Sequence, residues 1–394
     1  MLKSSDCSDL SVSVSLSTHL LSRDLSRAAS MSTPTTLLHL LILILAASLA
    51  AGQGQTGIFT CRSTANCQSL IDYISPNATT LSAIQSLFGM SNHRTLLGAN
   101  NFPPSTSPNT SVSKGQRLHI PFPCSCSNGT GHSRGLPIYT VQPDDGLSHI
   151  AEDVFAKLVT VQQIADANNI PNVNLIQLGQ ELYIPLPCSC DDVDGSKVVH
   201  YGHMVESGTS LEIIAANYGT TESTLMTLNG ISNPKDLLAD VVLDVPLKAC
   251  SSSIGSDSLD SPLLVSNGTY VYTANNCVRC NCQAANNYTL QCKASGISVN
   301  GSGWATCPSM QCQAASRSLS LGEELMSSAS ACNQTCAYAG FTNQTILTAL
   351  VPDSTCAASP DGNAPSSAPP AISSQLIKSF LLAAFAALCL FLLQ

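Results

Sequence analysis

The sequence predicts an α+β protein of tandem βααβ modules that disulfide bonds hold together, followed by a cysteine-rich C-terminal domain. Two observations lead to this fold class. A motif of about a dozen residues recurs roughly every sixty residues, and fixed-period self-similarity indicates repeated structural units. The chain also has 18 cysteines among its 394 residues. Such a content is ordinary in a secreted, disulfide-bonded protein and unusual in a reducing cytosol.

The charge balance excludes one large class of function. The formal net charge is −9, from 16 Lys and Arg against 25 Asp and Glu, and 10% of residues are charged. Proteins bind nucleic acid by neutralising phosphates with basic side chains, so this balance excludes a nucleic-acid binder. So few charges also argue against a disordered acidic chain.

Residues 1–51 are predicted to be a leader that ends in a secretory signal peptide. Leu37–Ala51 is an apolar run that passes into small residues. It is too short, and too closely followed by polar chain, to span a bilayer permanently. Met31 lies just before this run, so we expect synthesis often to begin there.

The C-terminal part of the chain has the pattern of a GPI signal. Residues 357–375 are a small, polar spacer rich in Pro and Ser, and residues 376–394 are a mostly apolar tail. In this pattern the tail is removed and a GPI lipid replaces it. We expect attachment at Ser366 and a mature protein on the extracellular face of the cell membrane. A short tail anchor is the alternative interpretation.

Eight N-x-S/T sequons agree with passage through the secretory pathway. The predicted N-glycosylation sites are Asn77, Asn109, Asn128, Asn267, Asn287, Asn300, Asn333 and Asn343.

The repeated motif closes each of three copies with an apolar run and a proline. It reads GQRLHIPFPCSC from Gly115, GQELYIPLPCSC from Gly179 and, more loosely, DVVLDVPL from Asp240. An asparagine lies upstream of the motif in each copy, namely Asn100, Asn168 and Asn229.

The second copy, 138–185, predicts the order strand, helix, helix, strand. Ile138–Val141 alternates apolar and polar residues, as a short strand does, and Asp144–Gly146 has turn composition. Two apolar sets at helical spacing follow, up to Asn168. Leu182–Ile184 is a second strand, which we expect Pro185 to end because proline has no N–H for the ladder.

The third copy, 201–247, repeats this order, with its opening strand at His203–Val205 and its closing strand at Val241–Val245. The first copy, 61–126, is degenerate: its closing strand at Leu118–Ile120 is legible, and its opening strand is not. Residues 250–356 form the predicted cysteine-rich domain.

Tyr139–Pro185 and Tyr201–Leu247 resemble LysM modules, the βααβ units that bind N-acetylglucosamine polymers. Three such copies with Cys-x-Cys pairs between them, followed by a GPI signal, are similar to plant LysM proteins of the chitin-elicitor-binding type. The resemblance implies three disulfide pairings, Cys61 with Cys126, Cys67 with Cys190, and Cys124 with Cys188. A zinc site is the competing interpretation of the Cys-x-Cys pairs and of Cys277-x-x-Cys280-x-Cys282.

Two loops at one end of each βααβ unit are expected to form a shallow groove, where the resemblance places the sugar. The candidate ligand-binding residues are Gln142, Pro143, Asp144, Asp145, Gly146 and Leu147 with Asn169, Ile170, Pro171 and Asn172 in the second copy, and Ser207, Gly208, Thr209 and Ser210 with Gly230, Ile231, Ser232 and Asn233 in the third. Ile170 or Ile231 would seat an N-acetyl methyl group. As an alternative, these residues are ordinary turns and helix ends, and Ile170 belongs to the core.

Sequon placement favours the same stretch. Three sequons precede residue 131 and five follow residue 266, so the two best copies carry none. A bulky glycan beside the groove would block a polysaccharide.

The resemblance implies a non-catalytic receptor for chitin oligosaccharides in plant defence. It would cluster on the polymer as a ligand-induced dimer and signal through a LysM receptor-like kinase. A peptidoglycan receptor of the same family is one alternative, and a cell-wall hydrolase or structural wall protein is another.

The sequence predicts no catalytic residue, cofactor or metal. Asp144 with Asp145, and Asp191 with Asp192, are neighbours on loops rather than an acid and a base that face each other across a cleft. His200-x-x-His203 is interpreted as a surface pair on a strand rather than a metal site.

Overall fold

The computed structural model describes residues 59–62, 64–251, 254–297, 304–314, 317–325 and 333–352. The predicted leader, the polar spacer with Ser366, the apolar tail and the sequon at Asn300 lie outside these residues. Within the described part of the chain, no helix has the length and apolar character needed to cross a membrane.

Each of the three modules contains two short helices between two strands. The first comprises β1 (Ala65–Ile74), β2 (Thr79–Thr80), α1 (Leu81–Leu87), α2 (His93–Ala99), β3 (Ser111–Val112) and β4 (Arg117–Ser127), after which β5 (Thr130–Ser133) pairs with β4. The second comprises β6 (Ile138–Thr140), α3 (Leu147–His149) with a π-helical turn (Ile150–Val154), α4 (Val161–Ala167) and β7 (Glu181–Tyr183). The third comprises β8 (Val198–Met204), α5 (Leu211–Tyr218), α6 (Glu222–Asn229), a 3₁₀ turn (Pro234–Asp236) and β9 (Val242–Cys250).

The opening strand of the first module is the element that the sequence does not reveal. β1 lies between β4 and β8 in a six-stranded sheet of order β10-β9-β8-β1-β4-β5, in which β10 is Val265–Ser266. Leu70–Tyr73 is buried on both faces of this sheet, so it shows no alternation, and the acidic Asp72 interrupts its apolar run.

The first and third modules share this sheet. β1 runs parallel to β8, with Leu70 opposite Tyr201 and Ile71 opposite Gly202. Gly202 suits this close approach, because a Cβ there would lie 3.0 Å from side-chain carbons of Ile71 and Val242, which would have to shift.

Prolines end only one of the three closing strands. β7 ends at Tyr183, before Pro185, as predicted. β4 instead continues through Pro121 to Ser127, and β9 continues through Pro246 to Cys250. The predicted ends of these two strands are therefore wrong.

The second module packs against the first through aromatic rings and disulfide bonds. Phe88, the C-cap residue of α1, meets Phe155 edge to face at 5.8 Å between ring centroids. The disulfide bonds join the pairs that the family resemblance implies, Cys61–Cys126, Cys67–Cys190 and Cys124–Cys188. Since all six sulfur atoms are in disulfide bonds, they offer no thiolate to zinc.

The asparagine of each copy joins the second helix to the closing strand. The Asn168 side chain donates to the carbonyls of Ile164, at 2.8 Å, and Tyr183, at 2.7 Å, and it accepts from the Tyr183 N–H at 2.8 Å. The same three bonds recur at Asn100, with Leu96 and His119, and at Asn229, with Leu225 and Asp244. These residues are structural in all three modules.

The cysteine-rich region begins with β10 (Val265–Ser266), β11 (Tyr270–Thr273), β12 (Val278–Asn281), a 3₁₀ turn (Ala284–Asn286) and β13 (Gln291–Ala294), and it continues with β14 (Gln311–Gln313) and β15 (Ser318–Ser320). Its disulfide bonds are Cys250–Cys282, Cys277–Cys307, Cys280–Cys292 and Cys312–Cys336. The cysteines of the alternative zinc motif, Cys277, Cys280 and Cys282, are therefore all in disulfide bonds.

β11 packs against the first module. The Tyr270 hydroxyl donates to the Phe102 carbonyl at 2.6 Å, and the Arg94 guanidinium lies 5.9 Å from the centre of the Tyr272 ring. Gly98 of α2 is required here, because a Cβ would come within 2.1 Å of the Tyr270 carbonyl oxygen.

The last strands are β16 (Glu324–Leu325), β17 (Gln334–Phe341) and β18 (Ile346–Pro352). Of the described residues, 324–325, 333–335 and 351–352 belong to a second compact unit. Within it, Glu324 pairs with Thr335 and Leu325 with Gln334.

Candidate functional site

The two predicted loops of each module leave the sheet from the same end. In the second module, the Val141 N–H donates to the Gln180 carbonyl and the Val141 carbonyl accepts from the Gly179 N–H, both at 2.9 Å. Val205 makes the corresponding bonds with Val241 and Asp240 in the third module, at 3.0 and 2.9 Å. The structure thus joins the loops at their base. Among the described residues, no hydrogen bond links Gln142–Leu147 to Asn169–Asn174 directly.

The first loop of the second module divides into exposed and structural residues. Gln142, Pro143, Asp144 and Gly146 are exposed, whereas Leu147 is 2% exposed and packs in the shared core. The Leu147 side chain therefore cannot contact a ligand on the surface, and the prediction is corrected for this residue.

Asp145 builds this loop rather than facing solvent. Its carboxylate, 4% exposed, accepts from the Gln142 N–H at 2.7 Å and from the Tyr139 hydroxyl at 2.8 Å. Burial and this contact with Asp145 raise the pKa of Tyr139 to about 12. Because its carboxylate accepts these two hydrogen bonds from within the module, Asp145 fixes the loop conformation.

The second loop of this module presents more apolar surface than predicted. Ile170 is half-buried and packs against the core, which fits the structural alternative as well as the ligand one. Pro171 and Asn172 are exposed. Beyond the predicted residues, the side chains of Leu175 and Leu178 are each 70% exposed. The same loop contains Ile170, Val173 and Ile176, which are half-buried, so the sequence does not distinguish the two exposed leucines from them.

The predicted loops of the third module have mixed roles. Ser207 and Gly208 are exposed and Thr209 is half-buried, while the Ser210 hydroxyl caps α5 by accepting from the Ile213 N–H at 3.3 Å. In the second loop, Asn233 accepts from the Lys235 N–H at 3.0 Å and so starts the 3₁₀ turn.

An open groove of about 620 Å³ lies on the third module. Its walls come from Gly230, Ile231 and Ser232 of the predicted loop and from four residues of α6, namely Glu222, Ser223, Met226 and Thr227. Ser207–Ser210 contributes no wall residue, contrary to the predicted pairing of the two loops around one groove. The residues of α6 were missed because Met226 fits the apolar face of a helix equally well.

The histidine pair on β8 is buried, so its interpretation as a surface pair is wrong. His200 is 1% exposed and its Nδ1 lies 2.9 Å from the Asp244 carboxylate. Burial alone would lower the pKa of His200, but the Asp244 carboxylate raises it above its ordinary value. His203 is 7% exposed, with Nδ1 3.1 Å from the Asp72 carboxylate. Burial and the Arg117 charge lower its pKa to about 4.

The second pair of neighbouring acids also has structural partners. The Asp191 carboxylate accepts from the Arg62 N–H at 2.9 and 3.0 Å, and Asp192 forms an exposed ion pair with Lys197 at 3.5 Å. Neither contact resembles a pair of carboxylates that flank a glycosidic bond.

The LysM domain family matches residues 139–185 and 203–246. LysM domain-containing GPI-anchored protein 2 of Arabidopsis thaliana is 47% identical to this chain, over 91% of the chain and 98% of the relative. The chitin elicitor-binding protein of Oryza sativa subsp. japonica is 45% identical, over 73% of this chain and 79% of the relative. Chitin elicitor receptor kinase 1 of Physcomitrium patens is 26% identical, over 51% of this chain and 31% of the relative.

Proposed function

Because the chain belongs to the family of LysM domain-containing GPI-anchored proteins, we propose that it is a non-catalytic cell-surface receptor for chitin oligosaccharides. The observation that carries this proposal is the pair of equivalent modules with exposed loops of mostly neutral polar residues, together with similarity to a chitin elicitor-binding protein.

The chemistry of these loops suits a neutral ligand rich in hydroxyl and acetamide groups. Exposed Gln142, Asn172, Ser232 and Asn233 offer neutral polar atoms together with main-chain donors and acceptors. An N-acetyl group also needs an apolar contact for its methyl. Ile231 and Met226, both half-buried in the open groove, provide one, and Leu175 and Leu178 provide another in the second module. We therefore add these leucines and Met226 to the proposed contacts and remove the Leu147 side chain.

Attachment to the outer leaflet follows from the predicted GPI signal. The names of the related plant proteins include a GPI anchor, and the spacer and tail of this chain have the matching composition. We propose Ser366 as the attachment residue.

Weak binding in each groove, combined with a ligand that repeats the same unit, provides a means of signalling. A long polymer can engage two receptors, and the second contact is then effectively intramolecular, which raises avidity by about 10²–10⁴. We propose that this clustering brings the receptor to a LysM receptor-like kinase. Similarity to a chitin elicitor receptor kinase supports that class of partner.

Calorimetry tests which ligand the protein binds. The secreted chain 51–366 is titrated with N-acetylglucosamine oligomers of four to eight units and, in parallel, with peptidoglycan fragments. We expect heat of binding with the chitin oligomers that increases in affinity with length. Binding of peptidoglycan alone would assign the protein to the other ligand class, and release of short oligomers from chitin would contradict a non-catalytic role.

A further inference from the structure

An equivalent residue in each module allows the loops of the three modules to be compared. This residue lies just after the opening strand and exchanges two main-chain hydrogen bonds with the loop before the closing strand. In the first module this residue is Ser75, which bonds Gly115 at 2.7 Å and Gln116 at 2.9 Å, as Val141 and Val205 do in the other modules. Residues 75–80 and 101–116 are therefore the first module's equivalents of the proposed ligand loops.

Beyond this point the loops of the first module remain bonded to each other. β2 and β3 form an antiparallel ladder, with Thr79 opposite Val112 and Thr80 opposite Ser111. Two further bonds extend it, from the Leu81 N–H to Thr110 at 3.1 Å and from the Ser82 N–H to Pro108 at 2.8 Å. In the second and third modules, the described residues show no main-chain bond between the loops beyond Val141 and Val205. Among the described residues, only the first module therefore has loops that are bonded to each other beyond this point.

Both loops of the first module also carry a sequon. Asn77 lies two residues after Ser75, and Asn109 lies two residues before β3, and both are exposed. Asn77 borders a groove of about 330 Å³ that Tyr73, His149 and Asp153 also line. The proposed ligand loops of the other modules contain no sequon.

The first module contacts the second module, the third module and the cysteine-rich region. Its β1 pairs with β8 of the third module, its cysteines bond those of the second, and α2 receives β11 of the cysteine-rich region at Gly98. We propose, on the basis of the proposed function, that this module does not bind the polysaccharide. The β2–β3 ladder closes its groove and N-glycans at Asn77 and Asn109 cover the rim, so that recognition is left to the second and third modules.

Hydrogen–deuterium exchange tests which modules bind the polysaccharide. The full chain is expressed in plant cells with its glycans, and chito-octaose is the probe. We expect slower exchange on binding in the loops of the second module, 142–147 and 169–180, with or without those of the third. We expect no change in 75–80 and 101–116. Slower exchange in these two segments would overturn the proposal. No change in any module, with no heat of binding, would overturn the proposed function instead.

The glycan part of the proposal has its own test. Peptide mass spectrometry should find Asn77 and Asn109 glycosylated, and finding either one bare would contradict this part. Asn174→Thr creates a sequon at Asn172, in the second module, at an exposed position. Once glycosylated, this variant should lose the slower exchange of its second-module loops, whereas Asn174→Ala, which creates no sequon, should keep it. If an occupied Asn172 leaves that effect intact, a glycan on this loop does not exclude the polymer, and the proposal is wrong on this point.

Discussion

The guanidinium of Arg117 forms an ion pair with the carboxylate of Asp72, which is completely buried between two modules. Asp72 lies on β1 of the first module, and it also accepts from the Met204 N–H of the third, at 3.2 Å. Arg117 extends the contact to Glu206, at the start of a proposed ligand loop. One buried charge therefore fixes the first module against the third.

Removal of this arginine should destabilise the protein strongly. Arg117→Ala leaves the buried Asp72 carboxylate without its cation, which costs about 3–5 kcal/mol when one partner of a buried pair is removed. Chemical denaturation with the disulfide bonds intact should show this loss. Arg134→Ala, at an exposed position, is the matched control and should change the midpoint little. A loss below about 1 kcal/mol in Arg117→Ala would show that solvent compensates Asp72.

The two histidines of β8 should give stability opposite dependences on pH. His203, with a pKa of about 4, stays neutral in the folded protein while the unfolded chain takes up a proton. Its contribution therefore falls as the pH decreases from about 6.5 towards 4, by at most about 1.4 kcal/mol per pH unit. The pKa of His200 is raised, so its contribution is present below about 6.5 and is lost as the pH rises through the folded pKa.

Denaturation midpoints measured across pH 4–8 separate these effects. His203→Gln should flatten the acid side of the profile, and His200→Gln should flatten the neutral side. His149→Gln, at a half-exposed side chain, serves as the control. If the midpoint of His203→Gln changes with pH on the acid side as steeply as that of the unchanged protein, groups other than His203 cause that dependence.

The asparagine that joins α4 to β7 should be sensitive to the type of substitution. Asn168→Ala removes three hydrogen bonds and leaves the Tyr183 N–H without its acceptor, a cost of about 1–3 kcal/mol for each buried group left unpaired. Asn168→Asp keeps that acceptor but turns its second carboxylate oxygen towards the carbonyl oxygens of Ile164 and Tyr183, so at neutral pH it should lose at least as much stability as Asn168→Ala. A midpoint for Asn168→Asp close to that of the unchanged protein would show that the two donated hydrogen bonds contribute little.

Charged substitutions in the second loop should distinguish a ligand contact from a core contact. Leu175→Asp places a charge at a side chain that is 70% exposed, so it should weaken chitin-oligomer binding about tenfold or more and leave secretion unchanged. Ile170→Asp should weaken binding too, and because Ile170 is half-buried against the core it should also reduce secretion. Leu259→Asp, exposed and outside the modules, is the control. Undiminished binding in Leu175→Asp would remove this leucine from the proposed contacts.

The sequence predicts the modules wherever apolar periodicity is local. β6, α4 and β7 follow from spacing and turn composition within a few residues of one another. β1 and the full length of β8 do not, because their burial depends on contacts between modules, and Asp72, His200 and His203 break the apolar pattern that a buried strand usually shows.

Side-chain roles at the candidate site were harder to predict than the fold. Asp145 and Ser210 have the composition of exposed loop residues, yet one fixes a turn and the other caps a helix. Such roles depend on distances to main-chain groups that sequence spacing does not specify. Leu175 and Leu178 were overlooked for the opposite reason, since nothing local indicates that a leucine in a loop stays in solvent.

The parallel pairing of β1 with β8 has a consequence for biosynthesis. Leu70 and Tyr201 are neighbours in the sheet but about 130 residues apart in the chain, so β1 emerges from the ribosome roughly 10 s before its partner, at typical elongation rates. During that interval one edge of β1 is open to wrong partners. The nascent chain can therefore complete this sheet only after its third module has been made.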